Sequence, residues 1–233
     1  MAIGALLPSL YHRGKMNTLY IDKDIIVCEK PYGVSSQASD KENMLDIILS
    51  EHGVSAFVIH RLDVTTEGLM VYALNERSAS VMGKQIAEGK LHKQYLAIVH
   101  SATPDEGEMI DVLYHDKTKN KSFVVDKERK GAKRAHLRFE TVARTEHEGQ
   151  ALSLVKITLL TGRTHQIRVQ FSSRGFVLFG DGKYGARDKG KIALYSHSLG
   201  FSHPKSGKGM SFCSYPNIDG AWCAFKEVLT NKQ

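Results

Sequence analysis

Three cysteines in 233 residues, Cys28, Cys213 and Cys223, are odd in number and widely spaced, which excludes a disulfide framework. They form no CxxC pair, and free thiols in a reducing cytoplasm are the simplest account. Eleven histidines are present, but none stands in an HxxxH pair or beside a cysteine, so no metal centre is expected. No apolar run approaches the roughly eighteen residues of a membrane span. The opening Met-Ala-Ile-Gly-Ala-Leu-Leu-Pro lacks the charged front and long apolar core of a signal peptide. Internal repeats and low-complexity linkers are also missing. These absences point to a cytoplasmic chain with no membrane partner and no metal.

What is present is an ordinary soluble composition, 42% hydrophobic and 24% charged, long enough for one large domain or two small ones. The formal net charge of +7 favours a polyanionic partner. Much of it is concentrated between residues 115 and 134, in Lys117, Lys119, Lys121, Lys127, Arg129, Lys130, Lys133 and Arg134. A run of this kind is usually a solvated loop. In a nucleic-acid-binding protein it would contact phosphates, each contact being small and weakened by salt.

Hydrophobic periodicity predicts two short strands around Asp22-Lys23-Asp24 within Leu19–Glu29. A helix is predicted over Met44–Glu51, with Asn43 as N-cap and Gly53 just past its end. Ala56–Ile59 and Leu69–Leu74 read as strands, and Asn75 begins a second helix that Gly89 ends. Further strands are predicted over residues 92–100, Ala135–Ala143, Leu152–Leu160, Val177–Phe179 and Ile192–Ser196, with a helix over Thr164–Ser173. Strands outnumber helices and short connections dominate, which indicates an α+β architecture around an antiparallel sheet.

The stretch from Val58 to Val71 sets a lone aspartate, Asp63, among His60, Arg61, Thr65, Thr66 and Gly68, between two apolar runs. A solvated surface turn and a site on a rigid scaffold account for it equally well. Two other segments share its character: Thr161-Gly162-Arg163-Thr164-His165-Gln166-Ile167-Arg168-Val169, and Lys93-Gln94-Tyr95-Leu96-Ala97. With Lys30-Pro31-Tyr32-Gly33 and Gly180-Asp181-Gly182-Lys183-Tyr184-Gly185, these resemble, in order, the blocks of the RluA family of RNA pseudouridine synthases. The likeness runs from about residue 19 to residue 204.

That resemblance implies a large mixed, mainly antiparallel sheet with flanking helices and a central active-site cleft. It implies isomerisation of uridine in RNA, in which the bond from base N1 to ribose C1′ breaks and a bond from C5 replaces it. Nothing is gained or lost, so no cofactor is needed. Asp63 takes the place of the family's catalytic carboxylate, either attacking C1′ or removing the C2′ proton. Arg168 matches the cation that keeps such a carboxylate ionised and orients it. Tyr95 matches the active-site tyrosine, whose ring can stack on the extruded base and whose oxygen lies near the departing C5 proton. Arg61 either fills the space of the flipped nucleotide or binds a phosphate. His60, Thr66, Arg163 and Ile167 fall in the blocks that face RNA, with Lys117, Lys119, Lys121, Arg129 and Lys130 as phosphate contacts. His60 and His165 read better as hydrogen-bonded structural histidines than as proton carriers.

Residues 19–233 are expected to form the catalytic domain after an extension over 1–18, which leaves no room for a separate RNA-binding domain ahead of it. A monomer is the family default, and the partner is a ribosomal or transfer RNA stem-loop. Two positions depart from the pattern: Glu67 where serine is usual, and Gln170 where histidine is common. Both bear on substrate preference more than on activity. The main alternative is a catalytically silent RNA-binding protein, such as an RNA chaperone, on the same scaffold. A small-molecule hydrolase pairing Asp63 with His60 ranks behind it.

Overall fold

A computed structural model describes residues 16–127, 130–147 and 149–231. Its strands in chain order are β1 (Thr18–Ile21), β2 (Ile25–Lys30), β3 (Phe57–Val58), β4 (Glu67–Ala73), β5 (His92–His100), β6 (Glu106–Asp116), β7 (Lys121–Val124), β8 (Ala132–His147), β9 (Gln150–Leu159), β10 (Leu194–Ser202) and β11 (Gly209–Cys213). The helices are α1 (Met44–His52), α2 (Glu76–Ala87), α3 (Gln166–Ser172) and α4 (Lys226–Thr230). One sheet runs β1-β2-β4-β10-β5-β9-β8-β6-β7, with β11 added beside β10 and β3 beside β4. The β4–β10 pair is parallel and the other pairs are antiparallel, so this is the expected mixed, mainly antiparallel α+β architecture. Among the described residues no helix is long and apolar enough to cross a membrane.

The sheet separates apolar clusters by strand alternation. On β5, Tyr95, Ala97 and Val99 join a cluster with Met44, Ile48, Ile167 and Phe171, contributed by α1 and α3. Leu96 and Ile98 point the other way, onto Trp222, Phe225 and Leu229. Each such fully buried side chain contributes roughly 1.5–3 kcal/mol, which fixes the helices against the sheet.

Helix caps act where expected. Asn43 accepts from the N–H groups of Leu45 and Asp46, and Gly53 closes α1 in the left-handed conformation at φ 68°. Asn75 accepts from Ser78 N–H at the start of α2. Three expectations need correction. α3 begins at Gln166 rather than Thr164, because His165 takes up φ 54° and ψ 25°, which is not helical. Val177–Phe179 forms no strand, only an isolated bridge between Leu178 and Val99. Much of the basic stretch is not a loop, since Lys121–Val124 pairs with the end of β6 and Ala132 begins the long β8.

Candidate active site

Asp63 occupies the β3–β4 connection, and the segment from Lys30 to Ser36 holds the backbone around it. Lys30 is 1% exposed. Its ammonium donates to the carbonyls of Pro31 at 2.8 Å, Val34 at 2.9 Å and Val64 at 3.3 Å. Burial lowers its pKa to about 8, with Glu67 and Asp63 acting in opposition. Gly33 N–H donates to the same Val64 carbonyl at 2.9 Å. The Ser36 hydroxyl donates to Leu62 O at 2.8 Å and accepts from Leu62 N–H at 3.0 Å. Thr66, itself buried, closes a turn through its N–H onto Asp63 O at 2.9 Å. The loop backbone is satisfied on both sides, so the Asp63 carboxylate, 27% exposed, is presented on a fixed frame.

α3 supplies the cation. Arg168 Nη1 donates to Asp63 Oδ2 at 3.2 Å. Its Nε and Nη2 donate to the two oxygens of Asp181, each at 2.7 Å. Burial works against the Arg168 charge, but Asp181 and then Asp63 more than offset it, and its pKa is raised. This bidentate clamp orients the guanidinium, leaving one edge for Asp63. Asp181 reaches its position because Gly180 has φ 76°, and a Cβ there would overlap the Lys191 carbonyl.

His165 stands at the start of α3 with its Nε2 3.7 Å from Asp63 Oδ2 and its Nδ1 3.0 Å from the Tyr184 hydroxyl. Tyr184 in turn accepts from Ser122 N–H at 2.8 Å, linking β7 to the site. Burial lowers the His165 pKa to about 4, against the attraction of Asp63. The imidazole is therefore neutral at physiological pH. Tyr95 lies on β5 between Ser196 of β10 and Ile157 of β9. Burial, and after it the Asp63 charge, raise its pKa, with Ser196 working the other way. A neutral phenol, a fixed carboxylate and a clamped guanidinium thus stand close together.

The remaining candidates are placed unevenly. Arg61 is exposed and donates to Gln37 Oε1 at 3.1 Å, with buried Leu62 between it and Asp63. His60 Nε2 accepts from Val71 N–H at 3.1 Å, so this nitrogen is committed to the backbone. Burial, with Lys93 second, lowers the His60 pKa to about 3. Arg163 Nε donates to Arg134 O at 2.9 Å, and Ile167 packs in the core. Lys117, Lys119 and Lys130 are exposed. Lys121 turns inward, donating to Lys183 O at 2.6 Å over the Tyr184 ring. Arg129 lies outside the described residues.

Three residues of the site went unassigned in the sequence: Lys30, Ser36 and Asp181. Lys30 and Asp181 stood inside quoted blocks, and a charged residue beside Pro or Gly in an otherwise apolar context was the available signal. Both departures bond within the protein, Glu67 from a half-buried position and Gln170 from the interior. Glu67 Oε1 accepts from Tyr32 N–H at 3.3 Å and pairs with Lys191 at 3.4 Å. Gln170 is fully buried and donates to Met109 O and to Asp111 Oδ2, at 3.2 and 2.6 Å.

Among the described residues one group brings three possible metal ligands within 4.8 Å, namely Asp22, Asp24 and His203 at the β1–β2 turn. Three of its four carboxylate oxygens are engaged: Asp22 accepts from Tyr20 and from backbone N–H groups and pairs with His203, and Asp24 Oδ1 accepts from Asn75 and Ser78. The group serves as a hydrogen-bonded turn.

Comparison with known proteins agrees with this geometry. Residues 24–173 match the family described as RNA pseudouridylate synthase. The ribosomal large subunit pseudouridine synthase C of Buchnera aphidicola subsp. Schizaphis graminum is 30% identical over 224 residues, covering 88% of this chain and 69% of its own. The tRNA pseudouridine synthase C of Haemophilus ducreyi is 29% identical over 217 residues, covering 82% and 87% respectively. In fold, human RNA pseudouridylate synthase domain containing 1 superposes with a TM-score of 0.77 at 19% identity, over 93% of this chain and 89% of that one. The chain belongs to the RNA pseudouridylate synthase family, in its RluA branch, and is an isomerase.

Proposed function

We propose that Asp63 is the carboxylate that drives glycosidic cleavage, that Arg168 orients it, and that Tyr95 meets the extruded base. The observation that carries this reading is the 3.2 Å contact from a buried, doubly anchored Arg168 to a half-exposed Asp63. A guanidinium pinned by Asp181 cannot swing away, so the Asp63 charge is held where a ribose would lie. The neutral Tyr95 phenol suits stacking on uracil, and its oxygen can relay the C5 proton by passing its own phenolic proton onward as that proton arrives. Arg61, exposed at the rim, suits the vacated nucleotide position. Lys117, Lys119 and Lys130 suit phosphates further along the RNA.

The substrate is structured RNA, a stem-loop of ribosomal or transfer RNA. The names of the relatives, one for the large ribosomal subunit and one for tRNA, support that class. Residues 19–233 act as one catalytic unit, as a monomer in the cytoplasm and without a metal.

Single-nucleotide pseudouridine mapping of total RNA from cells with and without the gene tests this, with an Asp63→Ala rescue arm. Sites lost on deletion and restored by wild type but not by Asp63→Ala establish the activity and name the RNA. Marks that Asp63→Ala restores, or no lost site at all, would favour a silent RNA-binding protein.

A further inference from the structure

We infer that Lys93 is a phosphodiester-binding residue of the catalytic cleft, taking the phosphate next to the nucleotide whose base Tyr95 receives; this rests on the proposed catalytic reading. Lys93 and Tyr95 are two residues apart on β5, so both side chains leave the same face of the strand, the face that carries α3. Two residues along a strand span about 7 Å, comparable with the distance from a pyrimidine ring to its own 5′ phosphate. The Lys93 ammonium lies over Gly162, in the loop leading to Arg168, where an added Cβ would come within 3.2 Å of Nζ. It is also near enough to His60 for its charge to disfavour the imidazolium. Lys93 therefore stands between the loop of Asp63 and the loop that precedes Arg168.

What sets it apart is the lack of a partner. Among the described residues no carboxylate, carbonyl or hydroxyl pairs with Lys93 Nζ, although burial lowers its pKa. The contrast with Lys30 is direct: that ammonium is fully buried and satisfied by three carbonyls, whereas Lys93 is half-buried and has none among the described residues. A desolvated cation without a counter-charge is unfavourable in the free protein, and an arriving anion removes that penalty. The anionic groups of RNA at neutral pH are its phosphodiesters. Lys121 and Lys183 illustrate the opposite case, each bonded to a carbonyl across the β6–β7 turn.

The test uses total RNA from a strain lacking the gene, grown on [5-³H]uridine, with tritium release as turnover and filter binding as affinity. Lys93→Met is expected to weaken RNA binding and raise KM by about tenfold while kcat changes less. It is also expected to make the logarithmic salt dependence of binding shallower by about 0.7–0.9, the signature of one lost phosphate contact. Lys93→Arg restores both. The melting temperature of free Lys93→Met should equal or exceed that of wild type, because an unpaired buried charge has gone. An unchanged salt slope, or a lowered melting temperature with affinity intact, overturns the contact. Wild-type protein that releases no tritium yet shows the Lys93-dependent slope would sink the catalytic reading and leave the phosphate contact standing.

Discussion

Arg168 is held more tightly by Asp181 than by Asp63: two bonds of 2.7 Å against one of 3.2 Å. The guanidinium proposed to orient Asp63 is thus itself positioned by Asp181, which joins the proposed site through Arg168. Asp181→Asn keeps the shape but removes the counter-charge from a buried pair. Loss of one partner from such a pair costs about 3–5 kcal/mol. Urea denaturation should show a loss of that order, and tritium release should fall at least about tenfold as Arg168 shifts towards Asp63. A variant with unchanged denaturation and turnover would show that Asp181 does not position Arg168.

Tyr95→Phe preserves the ring and removes the oxygen. RNA affinity should stay near wild type, because stacking survives. Turnover should fall by roughly 10²–10⁴-fold, the range for a lost proton-transfer group. Filter binding and tritium release on the same preparation separate the two effects. Equal turnover in the two proteins would remove the phenolic oxygen from the mechanism.

Two histidines are held neutral by the fold, His165 at about 4 and His60 at about 3, against 6.5 for a free imidazole. Between the folded and unfolded values the unfolded chain binds more protons. Stability is therefore fully present above pH 6.5 and declines as pH falls towards 4 and then 3, by roughly 1.4 kcal/mol per unit of displacement for each group. His60→Gln keeps an acceptor for Val71 N–H without the titration, so its denaturation midpoint should fall less steeply over that window. An acid limb of the same steepness would assign the decline to other groups.

Gly68 has φ 109°, and a Cβ added there would overlap the Ser196 carbonyl oxygen and lie 2.7 Å from Ser196 N. The two residues are register partners in the parallel β4–β10 pair. Gly68→Ala combines backbone strain with a clash against fixed backbone, a loss of roughly 1–3 kcal/mol from each. Thermal denaturation should register it, with turnover falling as β4 shifts the Asp63 loop. A melting temperature within a degree or so of wild type would mean that the two strands can separate locally.

The parts of this structure that were legible in the sequence are those governed by nearby residues. Asn43 with Gly53, and Asn75 with Gly89, bracket their helices because a cap acts over three or four positions. The strands around Asp22 and Asp24 and the buried β5 follow from local pattern in the same way. β6 escaped notice because its first half, paired only with β8, mixes Glu106, Glu108 and Asp111 among apolar residues. The late start of α3 was hidden because a left-handed histidine leaves no compositional mark, and its ring meets Tyr184 and Asp63 from elsewhere in the chain. Asp63, Tyr95 and Arg168 stood out through motif resemblance. Ser36 acts across the fold with nothing beside it in the chain to announce the role, and Asp181 carried only the mark of a charge between two glycines.

The Asp63–Arg168–Asp181 trio contains two negative charges and one positive, beside a histidine kept uncharged. The buried Lys30 ammonium stands beside them, so within a chain of formal charge +7 the fixed charges around Asp63 nearly cancel. Such a balance sorts a nucleic acid by its parts. The basic exterior draws in the polyanion, and what meets the Asp63 carboxylate is the uncharged ring together with a sugar carbon that becomes electron-poor as its bond to nitrogen lengthens.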